Sequence, residues 1–201
     1  MEPDDALIAR LDADLDGSFE SLVIAHQDRL YSIALRFLGD PSDAEEATQD
    51  CLVRAYRALA GYDSARIREL RLRPWLATIV LNLCRTKAGR RNHAGARPLS
   101  LDFDEPGKAL AEPRADPARS PVAIADRREA RARWAALVAD LPQAYRAAVV
   151  LRHVDGLSYP ELAQALGRPE GTVKAQVHRA LALLRRAYED AERREREEMT
   201  A

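Results

Sequence analysis

The chain has 201 residues, 47% of them hydrophobic and 31% charged, with a formal net charge of −1. That length suits one or two domains with modest cores, and that balance excludes a disordered chain. No apolar run approaches the roughly 18 residues of a membrane span, and the acidic start MEPDDALIARLDADLDG lacks a signal-peptide pattern. Two cysteines make no disulfide framework, so Cys51 and Cys84 are expected to be buried thiols in a cytoplasmic protein. Their spacing to His26, His93, His153 and His178 fits no zinc pattern, and no metal or other cofactor is expected.

The small net charge conceals segregation. Residues 1–20 carry seven acids against one Arg, residues 39–50 five acids and no base, and residues 85–97 five bases and no acid. Such blocks suit charged partners on different surfaces, although each alone is also consistent with a solvated face.

In chain order, residues 18–38 place Phe19, Leu22, Val23, Leu30, Ile33, Ala34 and Phe37 at helical spacing, stopped by Gly39, Asp40 and Pro41. Ser42 with Glu45 reads as a capping box opening a helix through about Leu59. Gly61-Tyr62-Asp63-Ser64 breaks it, and the basic stretch ARIRELRLR comes next. PWLATIVLNLCRTKAGRR restarts a helix with Pro74 in its first turn. The composition changes over residues 92–120, and the stretch 97–121 holds five prolines and no sustained period, which is linker composition. A helix is predicted from about Val122 to Asp140, and Leu141-Pro142 opens another. Ser158, Pro160 and Glu161 then cap a short helix that Gly167 ends, and Pro169 opens the next. The final charged residues EDAERREREE are expected to fray.

The fold class is therefore all-α: two helical domains, 15–91 and 125–190, joined by a flexible linker at 92–124. The two short helices about Gly167 form a helix-turn-helix. Its second helix is expected to expose Glu170, Thr172, Lys174, Ala175, Gln176, His178 and Arg179. From Arg168 to Arg186 there are five bases against one acid, as a DNA-facing helix requires. Lys and Arg neutralise phosphates, and a Gln amide can read adenine.

LPQAYRAAVVLRHVDGLSYPELAQALGRPEGTVKAQVHRALALLRRA resembles the C-terminal domain of bacterial sigma factors of the extracytoplasmic-function group. RLYSIALRFLGDPSDAEEATQDCLVRAYRAL and PWLATIVLNLCRTKAGRR resemble the domain of the same factors that binds RNA polymerase and melts the promoter. The resemblance covers about three quarters of the chain. It implies a sigma2-like bundle, a sigma4-like helix-turn-helix, and promoter-specific initiation with core RNA polymerase. Docking on the β′ clamp helices would fall to Asp43, Glu45, Glu46, Gln49 and Asp50, with Leu52 and Val53. Recognition and melting of the −10 element would fall to Tyr62, Arg66 and Asn82, with Arg85, Lys87, Arg90 and Arg91 on phosphates. The −35 element would meet Thr172, Lys174, Gln176, His178 and Arg179. Further implied partners are the β flap and an anti-sigma factor, with no membrane.

Two departures accompany the resemblance. The stretch between Leu59 and Trp75 is longer than the family's usual one, and Ala175-Gln176 stands where Ser-Arg is common. A helix-turn-helix regulator that never docks on polymerase remains the alternative. A two-component regulator would need an α/β receiver domain, and an enzyme would need a phosphate loop, a metal constellation or a nucleophile elbow; the sequence has none of these patterns.

Overall fold

The computed structural model describes residues 4–93 and 133–199; all of the secondary structure among them is helical. The N-terminal unit holds α1 (Asp4–Ala13), α2 (Leu15–Leu38), α3 (Pro41–Ala60), α4 (Ser64–Arg68) and α5 (Leu72–His93). The C-terminal unit holds α6, described over 133–139, then α7 (Gln143–Val149), a π-helical turn (Val150–Val154), α8 (Tyr159–Leu166) and α9 (Glu170–Glu198). The expected linker at 92–124 lies outside the described residues except at 92 and 93, which end α5. The predicted helix from Val122 is likewise described only from 133.

Gly39 ends α2 at φ 72°, a conformation glycine adopts without a Cβ clash, and its N–H donates to the Leu35 carbonyl. The cap of α3 is Asp40, not Ser42. Pro41 has no N–H and takes the first helical position, so the residue before it must cap, and its carboxylate accepts from the Asp43 N–H at 2.8 Å. α2 and α3 form an antiparallel hairpin, closed at its open end by Phe19 edge-on to Tyr56, 5.1 Å between centroids. Along α3 the buried apolar residues are Ala44, Ala47, Cys51, Ala55 and Leu59, spaced three or four apart, with Thr48 buried beside them. Their small side chains let α3 seat closely on Leu22, Leu30, Ile33 and Phe37 of α2 and on Leu72, Leu76, Val80, Leu81 and Cys84 of α5. Each of the large ones contributes about 1.5–3 kcal/mol by leaving water.

The bundle begins before the expected boundary at 15. Leu7, Ile8 and Leu11 make one buried stripe on α1, which packs on α2 and α4. Both cysteines are buried and unpaired, and burial pushes each thiol up to about 12.

In the C-terminal unit, Ser158 and Glu161 form the expected reciprocal box, and Gly167 ends α8 at φ 62°. Val173, Val177, Ala180 and Leu184 of α9 bury against α7 and α8. The π-helical turn was not legible in the sequence. It closes with the Asp155 N–H on the Val150 carbonyl at 3.1 Å, and the added residue in this turn rotates the chain that leads into α8. The C-terminal residues expected to fray instead continue α9 through Glu198, with Arg196–Glu192 and Arg193–Asp190 pairs along one side.

Candidate polymerase and nucleic-acid interfaces

On α3 the inner stripe of small residues forces the acidic residues outward. Glu45, Glu46, Gln49 and Asp50 are exposed, Val53 is 49% exposed, and Asp43 and Leu52 are half-buried. The Gln49 amide reaches the Glu45 carboxylate at 3.5 Å. The result is a helix face of carboxylates and an amide beside apolar Leu52 and Val53, suited to a basic protein partner.

Lys87 departs from its expected role. It is only 15% exposed and lies 2.8 Å from Glu46 and 3.4 Å from Asp43. Burial opposes its charge, but the Glu46 and Asp43 carboxylates outweigh that and raise its pKa. Lys87 thus joins α5 to α3 instead of offering its charge to a phosphate. The sequence placed it in a basic block because the carboxylates that absorb its charge come from another helix.

The segment expected to be a loop after α3 contains α4. Asp63 caps it, accepting from the Arg66 N–H at 2.8 Å. The Arg66 guanidinium lies over the Tyr62 ring, 3.9 Å from its centroid, and that ring tilts against Trp75 at 6.3 Å. Tyr62 and Trp75 are half-buried against the core and Arg66 is exposed, so the structure does bring the expected pair together. Asn82 is exposed on α5, and its side-chain amide oxygen accepts from Arg85 at 3.3 Å. Burial and then the nearby Arg168 lower the Arg85 pKa. Arg90 is exposed, and Arg91 belongs to the last turn of α5.

On α9, Thr172, Lys174, His178 and Arg179 are exposed as expected, together with Glu170 and Ala175. Gln176 is not. It is 8% exposed, and its amide oxygen has no hydrogen-bond partner. At about 100° per residue, position 176 lies some 60° from Val173 and 40° from Ala180, so it shares the inner face. Lys174 leans toward the Tyr159 ring at 6.0 Å, and Arg152 lies over the same ring at 4.9 Å.

The contact between the two units involves residues the sequence did not single out. Arg29 of α2 grips Asp155 with Nε and Nη2, the latter at 2.5 Å, and the same Nη2 donates to the Arg73 carbonyl at 3.1 Å. Arg73 in turn donates to the Asp155 carbonyl at 2.7 Å. The Asp155 side chain is fully buried. His26, also buried, sits beside this cluster with Asp4 of α1 at 3.9 Å. Farther along, the Thr78 hydroxyl lies 3.2 Å from the Ala165 carbonyl, and Arg146 donates to the Phe37 carbonyl at 2.8 Å. The helix-turn-helix therefore rests on α2 and α5. Arg29 and Asp155 lie 126 positions apart, and only the two units together give them a role.

Residues 22–93 match the family Sigma-70 region 2, and residues 131–184 match Sigma-70, region 4. The ECF RNA polymerase sigma-E factor of Escherichia coli K12 is 31% identical over 187 residues, covering 88% of this chain and 90% of that one. The chain belongs to the extracytoplasmic-function sigma factors. The ECF RNA polymerase sigma factor SigE of Mycolicibacterium smegmatis is 34% identical to this sigma factor over 84% of its length, which spans 60% of that relative. Among solved structures, CnrH in complex with the cytosolic domain of CnrY superposes with a TM-score of 0.65 at 26% identity, covering 94% of this sigma factor and 99% of that chain.

Proposed function

We propose that this sigma factor docks on core RNA polymerase through the outward face of α3, reads and opens the −10 element with the Tyr62–Arg66 pair and Asn82, and holds the −35 element with α9. The domains doing so are 15–91, extended by α1, and 125–190. The observation that carries this reading is the pairing of faces in one chain. The carboxylates of α3 point to solvent on one unit and the bases of α9 point to solvent on the other. A regulator that bound DNA without polymerase would have no use for the α3 face. On α3, Gln49, Asp50 and Val53 offer contact with the β′ clamp helices, whereas Glu46 would have to share its carboxylate with Lys87. On α9, Lys174 and Arg179 lie five residues apart, about 140° around the helix, and so flank the face that enters the groove. Thr172 and His178 lie on the same exposed surface. Contact with the β flap belongs to the C-terminal unit.

An inhibitor that holds the two units together, of the anti-sigma kind, fits the packed arrangement about Arg29 and Asp155, and CnrH was solved with a second chain, the cytosolic domain of CnrY. The test is reconstitution with core polymerase. Changing Gln49 and Asp50 to Ala should weaken core binding, whereas Asn82→Ala should leave core binding intact and reduce permanganate reactivity at the melted −10 region. A Gln49/Asp50 double variant with wild-type core affinity would overturn the docking assignment.

A further inference from the structure

The segment at 61–72 is held by a helix that precedes the matched family region. α1 ends beside α4, with Leu11 and Ile67 both buried. At this contact Asp12 accepts from the Arg68 Nε at 2.6 Å. The two side chains differ in setting: Asp12 is 8% exposed and Arg68 69% exposed. The acid is therefore anchored in the α1–α4 seam, while the base is an arm in solvent that the acid restrains. Ser64 and then Arg68 hold the Asp12 carboxyl below its usual range, so the carboxylate that meets Arg68 is charged. Ser64 opens α4 and Arg68 closes it. The carboxylate thus engages the last residue of the five-residue helix that carries Arg66 over the Tyr62 ring.

A helix this short cannot hold its own orientation. Isolated helices below about a dozen residues are marginal in water. The direction in which Arg66 and Tyr62 face is therefore set by what α4 leans on, and Asp12 supplies the directional part of that contact. We propose that α1 braces the 61–72 segment through Asp12 and Arg68, making Asp12 a positioning residue for −10 selectivity that itself never meets DNA. This rests on the reading that Tyr62 and Arg66 face the −10 element. It assigns a promoter-selective role to a helix outside the matched region, and it gives the basic insertion a function: Arg68 is the handle by which α1 holds α4.

The experiment uses holoenzyme reconstituted with the full chain. Open-complex formation is measured by permanganate reactivity on two promoters differing at one −10 base, for wild type, Asp12→Asn, Arg68→Ala, the Asp12→Asn/Arg68→Ala double variant and a Tyr62→Ala control. Asp12→Asn and Arg68→Ala should each lower the selectivity ratio about two- to fivefold, the size of an exposed ion pair, without loss of core affinity. The double variant should be no lower than either single one, because both remove the same contact. Arg68 is exposed enough that its truncation leaves the fold intact, so Arg68→Ala carries the test if Asp12→Asn melts early. Wild-type selectivity in Asp12→Asn and Arg68→Ala alongside an altered ratio in Tyr62→Ala would overturn the brace. Multiplying effects in the double variant would overturn it too, making Arg68 a DNA contact in its own right. An unchanged ratio in Tyr62→Ala would mean that the reading of the segment fails, and the brace with it.

Discussion

His26 shows how one buried residue makes the fold sensitive to pH. Burial, then the Arg29 charge, lowers its pKa below the ordinary value, with Arg73 acting the same way and Asp4 and Asp155 opposing. The folded chain thus binds a proton less readily than the unfolded chain. Where the unfolded state holds more protons, stability rises with pH. The His26 contribution is present above the unfolded value of about 6.5 and is lost as pH falls from there through the lower folded value. We expect the urea midpoint to drop between pH 7.5 and 5.5, and His26→Gln to flatten that drop. Equal pH dependence in the two proteins would show that His26 is not the group responsible. The thiols behave differently: with pKa values near 12, Cys51 and Cys84 stay protonated across this range and act as small apolar fillers.

At the scale of the element, α9 divides its side chains between two tasks. Lys174 faces solvent, and Lys174→Ala should weaken −35 binding on every sequence alike and reduce the salt slope by about one unit. Gln176 points inward, so its substitution acts through the fold. Its amide oxygen is buried without a partner, a state that costs on the order of 1–3 kcal/mol. Gln176→Leu should therefore raise the thermal midpoint or leave it unchanged, and the preference among −35 variants should remain that of wild type. Melting curves with a binding series at two salt concentrations separate the two residues. A Gln176→Leu protein with altered base preference would return Gln176 to the groove.

At the scale of the whole molecule, the Arg29–Asp155 contact governs whether the two units stay together. The Asp155 carboxylate is fully buried and receives two charge-assisted bonds from one guanidinium. Removing one partner of such a pair leaves the other charge buried and costs up to about 3–5 kcal/mol. Asp155→Asn keeps the shape but loses the charge. It should increase the radius of gyration of the free protein in small-angle scattering and lower its thermal midpoint. A scattering curve identical to wild type would mean that the Thr78–Ala165 and Arg146–Phe37 contacts hold the units by themselves.

Many of these features were determined by sequence alone. Ser158 to Pro169 writes out a capped helix, a left-handed turn and a helix start within twelve residues, and the structure contains each of them. The spacing of Leu22, Leu30, Ile33 and Phe37 on α2 likewise declares its buried face. Such signals are local: a cap, a turn glycine or a period of 3.6 involves residues within a few positions of each other. The stripe Leu7, Ile8, Leu11 was equally local, and α1 could have been read from it. What only the tertiary structure decided depends on partners distant in sequence. Lys87 lost its free charge to Asp43 and Glu46 across 44 and 41 positions, and Arg29 met Asp155 across 126. The inward turn of Gln176 belongs to the same class, since a polar residue at the margin of an apolar stripe faces in or out according to what packs there. A single residue type signals what a side chain can do; which neighbour uses it is set by the packing of helices, and that is a property of the folded chain.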